Sequence, residues 1–265
     1  MDRVSTQTET QDSINRRVYY SQGVETIYKE RGLYPTEALA LLRVIAEFPH
    51  RDILDLGVGT GRTGRYLSQL ASHYECIDYS PVMIEHLQKN APELHARQGD
   101  MRDLSAFDDA SFDFVFAAAN LVDAVGHADR LKVLHEVHRV LRPGGAFLFS
   151  SHNRNYFGAA EGPRLRMVRN PIVNLKNVVR YVRQSRNFAR LSQYRVDESE
   201  YALLVDEAGH DYQLLHYHID RKNQRAQLAA AGFELVYAIS EKLAVLHDGD
   251  DDSQSMTLQY IARRV

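Results

Sequence analysis

The stretch ILDLGVGTGR, residues 53–62, sets a carboxylate, Asp55, ahead of three alternate glycines, Gly57, Gly59 and Gly61, at the end of a short apolar run. Glycines so placed permit a tight turn and let a ligand approach the backbone before a helix N-terminus. Two spacings overlap here. Gly59, Gly61 and Gly64 satisfy the G-x-G-x-x-G of a dinucleotide site, while Asp55, Gly57, Gly59 and Gly61 satisfy D-x-G-x-G-x-G. The carboxylate separates them: a pyrophosphate is already anionic, Asp55 would repel it at short range, and a cationic ligand is the better match. Asp78, closing the next apolar run, is suited to accept from both hydroxyls of a ribose under either spacing. In QGDMRDL, Asp100 and Met101 are suited to an adenine, the first accepting from its amino group and the second packing on its ring.

The segments LDLGVGTGR, CIDYSP, GDMRDL, SFDFVFAAANLV, HRVLRPGGAFLFS and LAAAGF follow in order over about residues 50–151 and 220–265. The series resembles the class I S-adenosylmethionine-dependent methyltransferases that act on small molecules. The resemblance implies that Asp55, Gly57, Gly59 and Gly61 line the methionine end of S-adenosylmethionine, Asp78 and Tyr79 its ribose, and Asp100 and Met101 its adenine. Asn120 then lies on the floor of the site, and Tyr20 and Tyr28 resemble aromatic residues that close over the cofactor. S-adenosylhomocysteine is the implied product. Two other readings stay open: a nicotinamide-dependent oxidoreductase using Gly59, Gly61 and Gly64, and a cofactor-binding protein without turnover.

Displacement on a sulfonium needs no metal, and positioning alone supplies about 7–11 kcal/mol of the barrier. A hydroxyl acceptor also gains from a general base. His152 is the first candidate and Asp123 the second, followed by His216 and His218, which alternate with Tyr217 so that one strand face bears on the site. Any of these residues would serve equally as a hydrogen-bonded loop or core group. Oxygen is favoured over nitrogen as the acceptor atom.

The elements that must carry these residues alternate. Strands are expected at 53–56, 74–78, 94–98, 112–118 and 146–151, with helices from about Thr63 to Ser72, from Ser80 and Pro81, and from about Arg130 to Leu141. A short helix after Pro35 places Leu39, Leu42 and Ile45 on one stripe, and Pro49 follows its end. Such alternation predicts an α/β fold, a doubly wound and mostly parallel seven-stranded sheet that ends in an antiparallel hairpin. Between the fifth and sixth strands an inserted lid is expected, with strands YALLV and YQLLHYHI as a hairpin. The expected division is an N-terminal cap at 1–35, a cofactor-binding core at 36–151, an acceptor lid at 152–218 and the rest of the core at 219–265.

The insertion has its own charge pattern. Residues 153–195 hold ten basic side chains against Glu161 alone, and residues 196–211 hold six acidic ones and no Lys or Arg. In PIVNLKNVVRYVRQSRNFARL, Ile172, Leu175, Val179 and Val182 form one stripe while Lys176, Arg180, Arg183 and Arg190 fall on another. Such a helix would cap an anionic, sugar-like or lipid-linked acceptor, touch an anionic membrane through residues 172–191, or be a lid with a solvated face. A net charge of -3 argues against a protein built around nucleic acid, and no apolar run reaches the length of a bilayer span. The polar start lacks the apolar core of a secretory signal, and Cys76 is the only cysteine, so a reducing cytoplasm is expected for a monomer or homodimer.

Overall fold

Period-two alternation in the strands decides the layers of the computed structural model, which describes residues 9–28, 32–47, 51–206 and 210–265. The chain opens with helices α1 (Gln11–Tyr19) and α2 (Pro35–Val44), then runs β1 (Asp52–Leu56), α3 (Gly64–Leu70), β2 (His73–Asp78), α4 (Pro81–Asn90) and β3 (Arg97–Gln98). It continues through β4 (Phe112–Ala117), α5 (His127–Val140), β5 (Leu141–Asn153) and α6 (Pro171–Leu191). The last elements are β6 (Val196–Asp197), β7 (Ala202–Asp206), β8 (Leu214–Ile219), α7 (Arg221–Ala230), β9 (Phe233–Ile239) and β10 (Thr257–Arg264).

On β1 and β4, Leu54, Leu56, Val115 and Ala117 face a core shared with α5 and α7 through Val133, Leu134, Val137 and Leu228. Ile53, Phe114 and Phe116 face the opposite core, under Leu41, Val44 and Leu67 of α2 and α3. Both faces of the parallel strands are therefore covered, as a doubly wound sheet requires. Seven strands run in the order β3-β2-β1-β4-β5-β10-β9, with β10 antiparallel to both β5 and β9. β6, β7 and β8 extend this sheet from the far end of β5, where His152 pairs with His218 and Asn153 with Ile219. The insertion thus carries strands of the sheet as well as α6, and β7 and β8 form the antiparallel hairpin expected from YALLV and YQLLHYHI.

Some elements differ from their sequence reading. β3 shrinks to two residues because Pro92–Leu94 forms a 3-10 turn before it. In α2 the buried residues are Glu37, Ala40, Leu41 and Val44, and Leu42 is 73% exposed, so the stripe of Leu39, Leu42 and Ile45 is not the buried one. Spacings of three and four keep to one helix face, whereas repeated threes drift to its edge. α1 has no counterpart in the sequence reading; Gln11 and Asn15 both donate from it to Leu215 O, at 2.8 Å, fastening β8 to the turn 121–124. Pro49, the first eight residues of the polar start and part of the turn between β7 and β8 lie outside the described residues.

Candidate active site

A cavity of about 690 Å³ opens at the carboxyl ends of β1, β2, β4 and β5, where ligands of open α/β sheets bind. Gly57, Gly59 and Gly61 all take positive φ, at 61°, 56° and 84°. A Cβ on Gly57 would stand 2.5 Å from Leu121 Cδ1, so the loop closes only on glycine there. A Cβ on Gly59 would meet nothing nearer than Gly57 O at 3.9 Å; Gly59 lines the cavity, and space lies open beside it.

Asp78 ends β2 at the cavity wall. Oδ2 accepts from Gly59 N at 2.9 Å and Oδ1 from Ser80 N at 2.8 Å, and burial pushes the carboxyl up to about 6 against those two bonds. Each oxygen retains acceptor capacity for a vicinal diol. Tyr79, Asp100, Met101 and Asn120 also line the cavity. Asp100 is gripped by Arg102, whose Nε and Nη2 donate at 2.9 and 2.6 Å; burial opposes ionisation, but Arg102 outweighs it and holds the carboxyl below its usual range.

Asp55 lies elsewhere. The period-two alternation that sends Leu54 and Leu56 to one core sends Asp55 to the α3 side, where Oδ2 accepts from Thr63 Oγ1 at 2.8 Å and Tyr74 OH at 3.0 Å. It is fully buried, does not line the cavity, and burial pushes it up to about 7. Gly61 is likewise behind the loop, under Leu87 and Leu94. Tyr28 lines the cavity, but Tyr20 does not: its hydroxyl donates to Tyr79 O at 3.1 Å, and Tyr19 is the neighbour that reaches the wall.

The candidate bases come together, with unequal access. His152, at the end of β5, lines the cavity, while Asp123 is sealed behind it. Asp123 Oδ2 accepts from His152 N at 2.6 Å and pairs with His152 Nδ1 at 2.8 Å; Oδ1 accepts from Ser151 Oγ at 2.7 Å and Arg130 Nη1 at 2.5 Å. Burial penalises the carboxylate, yet Arg130 and the bonds from His152 and Ser151 overcome it and hold Asp123 below the carboxylate range. An ionised carboxylate only accepts, so Nδ1 carries the proton and Nε2 is the basic nitrogen, 3.2 Å from Asn120 Nδ2 at the cavity wall. Ala119 and Asn120 hold the left-handed region at 51° and 56°, a strained pair of the kind that collects at functional sites. His216 also lines the cavity, with its ring 4.9 Å from that of His152 and Nε2 3.4 Å from Tyr19 OH. The His218 ring lies tilted 4.8 Å from that of His152, without lining the cavity.

Sequence reasoning missed Arg130 and Tyr19. Arg130 has no exposed surface; its donors reach Asp123, Val122 O, Ser151, Gln224 and Gln227, and its guanidinium lies 4.6 Å from the Tyr217 ring centre. A signal was present, since Arg130 heads the stripe of Val133, Leu134 and Val137 where an apolar residue is the rule.

Residues 53–145 match the family model for a methyltransferase domain. A probable S-adenosylmethionine-dependent methyltransferase of Mycolicibacterium smegmatis is 32% identical over 108 residues, which cover 40% of each chain. Residues 53–145 thus form a domain of the class I S-adenosylmethionine-dependent methyltransferase kind. A dimethylglycine N-methyltransferase of Parasynechococcus marenigrum is 28% identical over 253 residues, covering 84% of this chain and 83% of the relative. The amino pentose methyltransferase of Micromonospora echinaspora, solved with S-adenosylmethionine bound, shares the fold with a TM-score of 0.57 at 20% identity, covering 93% of this chain and 98% of that one. The chain spans about two-fifths of the length of the curated relatives it matches first. S-adenosylmethionine is the cofactor of this family, and the open side of Gly59 beside the paired oxygens of Asp78 fits its ribose and methionine ends. Among the described residues no group of side chains could hold a metal ion, and no helix is long and apolar enough to cross a membrane.

Proposed function

We propose that this chain methylates a hydroxyl oxygen of a small-molecule acceptor, with His152 as general base. Residues 36–151 and 219–265 would hold the donor, and residues 1–35 and 152–218 would shape the acceptor site. The observation that carries the reading is the His152–Asp123 pair, which leaves the basic Nε2 at the wall of the cavity that Gly59 and Asp78 also line.

Bound S-adenosylmethionine supplies a methyl group on a sulfonium, a leaving group that needs no further activation. The chain's part is to orient and to move a proton. Asp78 accepts from the ribose hydroxyls, Met101 packs against the adenine, and the backbone of residues 57–59 admits the methionine end. Asp55 acts one layer back, holding the loop through Thr63 and Tyr74. As the acceptor hydroxyl displaces the Asn120 amide from His152 Nε2, that nitrogen takes the hydroxyl proton while the oxygen becomes nucleophilic, and Asp123 stabilises the imidazolium that results. The basic insertion favours an anionic, sugar-like or lipid-linked acceptor, and the single buried Cys76 fits a cytoplasmic setting.

The likeness to a dimethylglycine N-methyltransferase across most of the chain favours a second reading, transfer to an amine. Calorimetric titration with S-adenosylmethionine and NADH, followed by S-adenosylhomocysteine release over paired hydroxyl and amine acceptors, tests both. Binding of the sulfonium donor and product from hydroxyl compounds are expected. His152→Asn should lower kcat on a hydroxyl acceptor about 100-fold or more while donor affinity holds. Tight NADH binding without S-adenosylmethionine binding would falsify the donor assignment, and turnover confined to amines with an unimpaired His152→Asn would remove the base.

A further inference from the structure

The amphipathic helix α6 points its apolar side the wrong way for a lid. No residue of α6 before Gln184 is buried, and its contacts with the body run from Arg180 to its end, through Arg180 and Arg183 on Asp211, Gln184, Leu191, the bond from Asn187 to Asp211 O, and Phe188 packed edge-on against Tyr212. Ile172, Leu175, Val179 and Val182 are 68%, 67%, 63% and 42% exposed. At about 100° per residue this stripe lies roughly half a turn around the helix from Gln184 and Leu191, facing away from the body. Leu165, Met167 and Val168, in the segment leading into α6, are exposed as well. Soluble monomers do not leave so continuous an apolar strip in water without a use for it.

Charge selects the occupant. From Gly162 to Arg195 the chain holds nine basic residues and no acidic one. Asp211 engages Arg180 and Arg183, and Lys176 and Arg186 stand exposed. A second copy of the chain docked two-fold on this face would set these cations against their equivalents. An acidic protein groove would satisfy the charge but not so long an outward apolar strip flanked by long basic side chains. A bilayer with anionic lipids satisfies both, since the apolar strip enters the acyl boundary while Lys and Arg stems reach back to the headgroups.

We infer that α6 and the segment before it form an interfacial anchor that docks this protein on an anionic lipid bilayer. The anchor is coupled to the cavity: Asp211, which receives Arg180, Arg183, Gln184 and Asn187 from α6, adjoins His210 on the cavity wall. The contact that fastens the anchor to the body is therefore one residue away from the cavity wall. The inference does not depend on which atom is methylated.

Flotation of the full chain with vesicles tests it. Vesicles of phosphatidylcholine with 30 mol% phosphatidylglycerol should carry the protein upward at 0.1 M salt, and vesicles of phosphatidylcholine alone should carry it at least about 25-fold less. Lys176→Gln with Arg186→Gln should cut partitioning about 25-fold, at roughly five-fold per cation, and 0.5 M salt should mimic that loss. Leu175→Ser with Val179→Ser should abolish flotation while the thermal melt and S-adenosylmethionine affinity stay unchanged, because both side chains are exposed. Three results overturn the inference: no flotation of the wild-type chain with anionic vesicles, flotation of both double variants equal to that of the wild type, or a wild-type dimer that Leu175→Ser with Val179→Ser converts to monomer.

Discussion

Replacing Arg130 by Met examines the network behind His152 most directly. Methionine fills much of the same space without a donor, so Asp123 keeps its bonds from Ser151 and His152 but loses the fully buried cation beside it. Breaking a buried pair by removing one partner costs about 3–5 kcal/mol. The acceptor oxygens of Gln224 and Gln227 and the contact with Tyr217 are lost at the same time, which places the expected cost toward the upper end. At about 2.1 cal/mol/K per residue, unfolding of 265 residues carries an entropy of about 0.56 kcal/mol/K, so Tm should fall by about 5–9 °C near neutral pH.

The deficit should depend on pH. In the wild-type chain Asp123 sits below its unfolded value, so its contribution is present above the ordinary carboxylate range and is lost as pH falls through the folded pKa. Without Arg130 burial dominates, the folded pKa rises above the unfolded one, and stability is lost as pH climbs from about 4. The gap between the two proteins should therefore be widest at pH 7–8 and narrow toward pH 4. Calorimetric melts of both proteins from pH 4 to 8 measure this. A drop below 2 °C at pH 7.5, or an equal drop at both ends, would refute the account of Asp123 as a carboxylate kept ionised by Arg130.

Other predictions follow from the remaining carboxylates. Donor binding should weaken as pH falls below about 6, where Asp78 takes up a proton and can no longer accept with both oxygens from a diol. Asp78→Asn should cost about 10- to 100-fold in affinity for S-adenosylmethionine and flatten that pH dependence; calorimetry showing wild-type affinity in the variant would sink the ribose assignment. Asp55 titrates at about 7, above its unfolded value, so its burial removes stability as pH rises from about 4 to 7. Asp55→Asn, which keeps an acceptor for Thr63 and Tyr74, should gain up to about 4 kcal/mol at pH 8 and nothing near pH 4, read from urea midpoints in the absence of donor; equal midpoints at pH 8 would show that Asp55 is not a buried strained carboxylate.

The donor half of this protein was legible because its signals are local. The glycine spacing dictates a turn through three left-handed residues, and strand ends such as Asp78 and Asp100 sit at the cavity because a parallel sheet exposes one edge of its carboxyl ends. Locality also limited the reading. Motif spacing expects Asp55 at the cavity, whereas side-chain alternation along β1 turns it toward α3 and off the cavity wall, and Tyr19 rather than Tyr20 reaches that wall through the phase of a helix that the sequence reading did not include.

The sequence by itself determined the alternation of strands and helices from β1 to β5, the glycine loop, and the carboxylates at the end of β2 and just past β3, since these depend on contiguous residues and on period. Tertiary structure decided which base faces the cavity. Residues 123, 130, 152, 224 and 227 meet from separate turns, helices and a strand, and a buried charge network exists only where those elements pack. It also decided that the basic helix turns its apolar stripe outward: amphipathicity names two faces, and only the anchoring of Gln184 and Leu191 says which one meets the body.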